Sequence, residues 1–314
     1  MDFFNLAAML TLGVIFVNGW TDAPNAIVSV VCSTTLSMKK AVILASLSNF
    51  AGVIIMSIIS PAVAKNIFEI ADIKEPAAIS AALLSVIVLA VGAWFFGIPT
   101  SESHAIIASL MGAGIATGTG ISLKVTLYTV IGLFLSVTGG FVVGYYLYSF
   151  WSKKQTEAKK IRLVQIAGAA IMAFMHGAQD GQKFISIYLI ACGITGDFNI
   201  PIWAAMICSA VMGLGTLLGG GRIIENVGQK MVELDKKQGV SADIAGGISL
   251  FISTVLGLPV STTHVKTAAI MGCGYVTGEI NKKTASEVLA AWVITFPVCF
   301  GMGYVFTKLF TVLI

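Results

Sequence analysis

Charged residues are scarce in this sequence of 314 residues. Asp, Glu, Lys and Arg make up 11% of the chain, whereas 57% is hydrophobic and the mean hydropathy is +0.92. Soluble domains carry about a quarter charged residues, so the composition excludes an ordinary soluble protein. It predicts an integral membrane protein whose surroundings are the lipid bilayer.

Cysteine is scarce too, and its five positions show no Cys-x-x-Cys spacing. A disulfide framework or cysteine metal site is therefore not expected. No nucleic-acid or cofactor motif is present, so we predict no such partner and no cofactor. The first residues lack a basic region and a small-residue cleavage site, so we expect no removable signal peptide.

Long uncharged runs are what the sequence does contain. Five of them, 41–60, 77–97, 125–149, 202–220 and 288–307, are near or above the ~20 residues that a spanning helix needs. A barrel would alternate polarity with period two, so we predict an all-α bundle.

Two polar motifs with the same spacing interrupt the apolar sequence. They are Asn-Gly-Trp-Thr-Asp-Ala-Pro-Asn at 18–25 and His-Gly-Ala-Gln-Asp-Gly-Gln-Lys at 176–183, which place Asp22 and Asp180 158 residues apart. A carboxylate within a membrane is costly unless a partner or ion compensates its charge. The matched pair predicts one ion or substrate site at a repeat interface.

A second pair of motifs lies 160 residues apart, Gly-Ile-Pro-Thr-Ser-Glu-Ser-His at 97–104 and Gly-Leu-Pro-Val-Ser-Thr-Thr-His at 257–264. The nearly constant offset predicts an internal duplication. We assign residues 1–150 to the first repeat, 151–162 to a basic cytoplasmic linker and 163–314 to the second repeat.

Each repeat is predicted to cross the membrane about five times, and an odd number inverts the second copy. The ten segments are 3–35, 41–60, 77–97, 100–118, 125–149, 163–192, 202–219, 242–257, 260–276 and 286–312. Segments 3–35 and 163–192 are too long for straight crossings and are predicted to be broken helices. They are expected to meet helical hairpins near the membrane midplane.

The Lys and Arg distribution predicts that both termini lie outside the cell membrane. The thirteen basic residues of the predicted cytoplasmic loops are Lys39, Lys40, Lys153, Lys154, Lys159, Lys160, Arg162, Arg222, Lys230, Lys236, Lys237, Lys282 and Lys283. The four on the other side are Lys65, Lys74, Lys124 and Lys308.

Hydroxyl residues follow the proline of each hairpin motif, where a helix is predicted to begin. Free amides and the positive end of a helix dipole favour anions at such a position. Ser101 and Ser103 of one tip, with Ser261, Thr262 and Thr263 of the other, could grip one tetrahedral oxyanion. Helix capping alone is the alternative.

The two acids have two predicted uses. Asp22 and Asp180 can coordinate a hard cation such as Na⁺ together with backbone carbonyls. They can also accept a hydrogen bond from a protonated phosphate oxygen, which sulfate lacks near neutral pH. A purely structural pairing with a lysine or an amide is the alternative.

Asn25 and Lys183 occupy equivalent positions in the two motifs. The Lys183 ammonium could bind the anion, replace a second sodium, or simply form an ion pair with Asp180. Thr21 and Gln179 are candidates to orient the coupling cation, or to form helix contacts.

Two further groups could carry protons or act in gating. His176 could relay protons, and Glu102 could be a gate or a proton carrier. A satisfied interior histidine and a hydrated acid at the hairpin tip are the alternatives.

These motifs resemble those of the inorganic phosphate transporter (PiT) family, in particular the bacterial Pit subgroup. Residues 18–26 are similar to its Gly-Ala-Asn-Asp-Val-Ala-Asn-Ala signature, and 176–183 to the second copy. Residues 259–264 match its Pro-Val-Ser-Thr-Thr-His hairpin, and 99–104 are a looser partner. The resemblance covers essentially the whole chain.

The resemblance implies cation-coupled phosphate uptake by a homodimer and no enzymatic activity. The residues that it implies for phosphate and cation binding are Asp22, Asn25, Asp180, Ser101, Ser103, Ser261, Thr262 and Thr263. Lys183 departs from the Asn of sodium-coupled members, and Glu102 from the usual small residue. H⁺ or metal-phosphate symport therefore stays open beside Na⁺.

We predict a secondary transporter that imports phosphate with Na⁺ or H⁺ by alternating access. A carrier of sulfate or another oxyanion and a passive anion channel are alternatives. An intramembrane aspartyl protease could also use two acids, although the sequence has no Gly-x-Gly-Asp motif.

Overall fold

A computed structural model describes residues 3–70, 75–98, 100–119, 123–155, 157–194, 198–219, 224, 231–232 and 234–312. Within these residues the regular structure is helical, with no β-strand. Six helices are long and apolar enough to cross a membrane, counting only the described residues. The predicted all-α membrane bundle is confirmed in this form. Lys74, Pro99, Arg222 and Lys230 lie outside the described residues.

Seven α-helices lie in the described residues of the first half. They are α1 (Phe3–Thr21), α2 (Val28–Cys32), α3 (Met38–Ile59), α4 (Ala62–Ile70), α5 (Pro76–Phe96), α6 (Glu102–Thr117) and α7 (Leu123–Ser152). A 3₁₀ turn, Ala23–Ile27, joins α1 to α2. The predicted break in segment 3–35 therefore occurs at Asp22, two residues before Pro24.

The second half has a similar order of helices in its described residues. They are α8 (Ala158–His176), α9 (Gln182–Ala191), α10 (Ile202–Leu218), α11 (Lys236–Val255), α12 (Thr262–Thr277) and α13 (Lys282–Val312). A π turn, Gly177–Gly181, joins α8 to α9. The backbone stays right-handed helical on both sides of this turn, so the second signature is a widened helix and the predicted break is absent.

Three helix positions differ from the predicted segments. α11 begins six residues before the predicted start at 242, because Asp235 and Gln238 form a reciprocal capping box. α8 begins at Ala158, inside the predicted linker, and α4 was not predicted. The nonhelical part of the linker is therefore only a few residues long.

The two hairpin tips are built alike. Gly97 and Gly257 adopt φ of 69° and 70°, a left-handed conformation that favours glycine. The side-chain oxygens of Ser101 and Ser261 then accept hydrogen bonds at 3.2 Å from the amides of His104 and His264. Each serine caps the helix that returns from its tip.

Helix contacts are exchanged between the halves. Helices α1 and α3 of the first half pack against α10 and α8 of the second half, respectively. Likewise α6 packs against α13, and α7 against α12. Each contact thus has a counterpart in which the roles of the halves are interchanged.

Glycines allow the exchanged helices to approach at backbone distance. A Cβ on Gly112 would clash with the carbonyl oxygen of Phe300, and one on Gly303 would clash with that of Ser109. A Cβ on Gly272 would likewise clash with the carbonyl oxygen of Phe141. Small residues at such crossings are typical of membrane helices, where close van der Waals packing drives association.

We predict that Gly303→Ala destabilises the protein by about 1–3 kcal/mol, because the added methyl overpacks the α6–α13 crossing. Gly301→Ala is the matched control in the same helix, since no atom of the described residues lies within 4 Å of the place where its methyl would be. Thermal unfolding in detergent measures both. Equal melting temperatures for the two variants would contradict this account of the crossing.

Candidate functional site

The two signature motifs and the two hairpin tips converge on one buried cluster. Asp22 follows α1, and Asp180 lies in the π turn. Both acids are buried, at 3% and 0% exposure. Oxygen atoms of these acids and a nitrogen of His176 lie within 4.8 Å of one another. The predicted convergence of the two acids is therefore present in the structure.

Lys183 neutralises the second motif. Its Nζ donates hydrogen bonds to Asp180 Oδ1 at 2.7 Å, Ser103 Oγ at 2.7 Å and the Val260 carbonyl oxygen at 2.5 Å. An ammonium has three protons, and three oxygens accept them. The ion pair considered from the sequence is thus formed, with both hairpin tips supplying further oxygens.

Hydroxyl groups of both tips also contact Asp180. Ser103 Oγ lies 3.2 Å from Oδ1, and Thr262 Oγ1 donates to Oδ2 at 3.0 Å. His176 Nε2 lies 3.4 Å from the same Oδ2 atom. Asp180 is therefore surrounded by potential donors, as a buried carboxylate requires.

A neutral amide stands in the first motif where the second has the ammonium. Asn25 Nδ2 donates to the Asp22 carbonyl oxygen at 3.0 Å, to Asp22 Oδ1 at 3.1 Å and to Thr263 Oγ1 at 3.2 Å. Thr263 and Ser103 are equivalent at the hairpin offset of 160 residues. The Asn25–Thr263 and Lys183–Ser103 contacts are thus equivalent in position and differ in charge.

Glu102 adds a third acid beside the first motif. Its Oε1 contacts the Thr21 hydroxyl, which also donates to the Val17 carbonyl at 2.8 Å. Its Oε2, like Asn25 Oδ1, has no hydrogen-bond partner among the described residues. Both side chains border a cavity of about 10 Å³ that Asp22 and Thr21 also line. A space of this size suits one water-sized group.

Three predicted residues make other contacts. Ser101 and Ser261 act as caps, as described above. Gln179 Nε2 donates to Thr254 Oγ1 at 3.1 Å, away from the acids. All three side chains are buried, and none of them forms a hydrogen bond with Asp22 or Asp180 among the described residues.

Two asparagines of the site were missed from the sequence. Asn18 Nδ2 lies 3.5 Å from Asp22 Oδ2 and 3.4 Å from Asp180 Oδ2, so it bridges the acids weakly. Asn49 Oδ1 lies 3.0 Å from His176 Nδ1 and orients that ring. The alignment of Asn18 with His176 was a usable signal, because both contact Asp180. Asn49 lies outside the motifs and gave none.

The cluster can act on both anions and cations. Its donors are one ammonium, several hydroxyls and the histidine ring, while its acceptors are three carboxylates and amide oxygens. Carboxylate, hydroxyl and amide oxygens are ligands for hard cations, and the ammonium and hydroxyls are donors for an oxyanion.

Comparisons with known proteins agree with this chemistry. A family model described as "Phosphate transporter family" matches residues 18–160 and 152–303. A "Probable low-affinity inorganic phosphate transporter" from Bacillus subtilis strain 168 is 36% identical over 95% of this chain and 94% of its own length. "Low-affinity inorganic phosphate transporter PitB" from Escherichia coli K12 is 22% identical, with coverage of 90% and 91%.

A solved structure shares the fold. It is described as "The sodium-dependent phosphate transporter", and it matches with a TM-score of 0.82 over 100% of both chains at 18% identity. At this identity the likeness concerns the fold alone. The family resemblance of the four motifs is confirmed, and the apolar helices make this a multi-pass membrane protein. The chain belongs to the phosphate transporter family.

Proposed function

We propose that the protein is a secondary transporter that imports inorganic phosphate together with a monovalent cation. The observation that carries this proposal is the convergence of two acids, one ammonium and hydroxyls from both hairpin tips in one buried cluster. The relatives are transporters, so the protein is not an enzyme and the aspartyl protease alternative is rejected.

Phosphate fits the cluster by its protonation. Ser103, Thr262 and Lys183 can donate hydrogen bonds to its oxygens, while Asp180 or Asp22 accepts one from a protonated oxygen. Sulfate has no such proton near neutral pH, so one buried carboxylate would face it unpaired. The relatives' names support the same substrate. A sulfate carrier stays as the second candidate within this fold.

Charge balance supports a cation at the first motif. The Lys183 ammonium lies beside Asp180. Among the described residues, the side chains that contact Asp22 and Glu102 through hydrogen bonds are neutral, namely Asn18, Asn25 and Thr21. A cation bound at Asp22 would offset that excess negative charge. Thr21, Asn25 and Asp22 are the proposed ligands there, and either Na⁺ or H⁺ is the coupling ion.

Alternating access between inverted repeats is the proposed mechanism. The exchange of helix contacts between the halves and the matching tip geometry support a two-fold relation of 1–150 with 163–314. In this topology both termini lie outside, and the linker lies on the cytoplasmic face. We also propose a homodimer and a cell-membrane location, as the family resemblance implies.

The acids provide the first test. Asp22→Asn and Asp180→Asn each remove one negative charge with little change in size, so we expect phosphate uptake by proteoliposomes to fall at least a hundredfold. Glu157→Gln is the matched control, because this acid is exposed at the start of α8. Uptake at the wild-type rate in both site variants, with normal expression, would refute the assignment.

Lys183 provides a test of the coupling ion. The Lys183→Asn variant gives the second motif the same neutral side chain that Asn25 gives the first motif. The charge of Asp180 would then have to be balanced by a cation from solution. We expect uptake at low Na⁺ to fall at least tenfold and to recover in part as Na⁺ is raised.

The exposed Lys160 gives the matched control, Lys160→Asn. Uptake that is lost at every Na⁺ concentration would show that the ammonium binds phosphate itself. Uptake unchanged at low Na⁺ would show that Lys183 has neither role.

A further inference from the structure

A second fully buried ion pair lies outside the candidate site. Asp243 of α11 contacts Lys266 of α12, and both side chains have 0% exposure. Ser29 Oγ of α2 donates to Asp243 Oδ2 at 2.7 Å. Gln165 Nε2 of α8 lies 3.0 Å from the Ser29 carbonyl oxygen and 2.7 Å from Ser33 Oγ. We call these five residues the linker-face network.

The network lies toward the linker between the halves. Lys237, at the start of α11, donates to the carbonyl oxygens of Ser152 and Lys154 at 3.3 and 2.7 Å. Asp243 lies about two turns farther along α11, and Gln165 lies about two turns into α8. The network therefore lies near the linker face of the protein.

The same elements also form part of the candidate site. Ser29 follows Asn25 by four residues, and Lys266 follows Thr263 by three. Thr263 and Lys266 lie one helical turn apart on the same side of α12. Ser29 lies in α2, just after the 3₁₀ turn that contains Asn25. The Ser29–Asp243–Lys266 contact is thus the next contact after Asn25–Thr263 between the first signature segment and the second hairpin.

The equivalent positions of the other half are all apolar. At the offsets of 158 and 160 residues, the counterparts of Ser29, Ser33, Gln165, Asp243 and Lys266 are Ile187, Ala191, Ala7, Leu83 and Ile106. All five counterparts are buried within one hydrophobic cluster. At equivalent positions, one half therefore packs through apolar side chains and the other through a buried ion pair and hydrogen bonds.

The difference in chemistry decides which closure separates more readily into water. Buried charges recover their hydration when they separate, which offsets much of the lost contact. Apolar side chains that separate expose surface that water disfavours. We propose that Asp243, Lys266 and Ser29 are positioning residues that form the gate on the linker face, holding Asn25 on Thr263 and parting to release phosphate there. This inference rests on the proposed function.

A double variant gives the sharpest test. Asp243→Leu with Lys266→Ile gives the gate the same residue types as Leu83 and Ile106, its equivalents in the other half. We expect the fold to tolerate this apolar pair, and we expect the gate to open less often. We expect phosphate uptake to fall at least tenfold and phosphate binding in detergent to stay within twofold of wild type. Wild-type uptake by a folded double variant would overturn the gate.

Cys32 reports opening independently of uptake. It is half-buried beside Ser33, whereas Cys208, Cys273 and Cys299 are buried. Cys192 is exposed and is removed in a Cys192→Ser background. We expect an impermeant maleimide added on the linker face to label Cys32 at least fivefold more slowly in the double variant. Equal labelling rates would contradict the gate.

Ser29→Ala keeps the test decisive if the double variant does not fold. It removes one hydrogen bond of the gate without leaving a charge unpaired, so we expect faster Cys32 labelling and a changed KM for phosphate. Unchanged labelling and KM in Ser29→Ala would overturn the proposal. Absence of wild-type phosphate uptake would instead refute the proposed function, and the labelling comparison would still test the gate.

Discussion

The compensation of buried carboxylates is the constraint on which the structure depends. Asp180 lies in the membrane-embedded part of the bundle with no exposure to water, so its charge is tolerable only because Lys183 and hydroxyls of both hairpin tips surround it. These partners come from distant parts of the sequence. Satisfying one acid therefore requires that the second signature and both tips meet.

The halves share a backbone plan and differ in charge. Capping serines, left-handed glycines and exchanged helix contacts are repeated almost identically. The side chains at equivalent positions differ. Lys183 of the second half stands at the position of Asn25, and Glu102 of the first half at that of Thr262. The Asp243–Lys266 pair stands at the positions of Leu83 and Ile106. At these positions the two similarly built halves therefore carry different charges.

The sequence predicted the fold class, because a bilayer requires long apolar helices. It also predicted the convergence of the motifs, because their matched spacing indicated one shared site. It did not predict the π turn at Gly177–Gly181, since the local residues permit either a widened helix or a break. Asn49 and Asp243 were also missed. Each lies in a helix outside the four motifs, and its role arises only from the partner that tertiary packing brings to it.

Concentrative uptake tests the central claim most directly, namely that one buried cluster binds phosphate and a cation together. Purified protein in liposomes is given a Na⁺ gradient or a pH gradient separately, and internal labelled phosphate is followed over time. The account predicts accumulation above the external concentration under at least one gradient and none without a gradient. Phosphate that only equilibrates under every condition would contradict it and favour a passive channel.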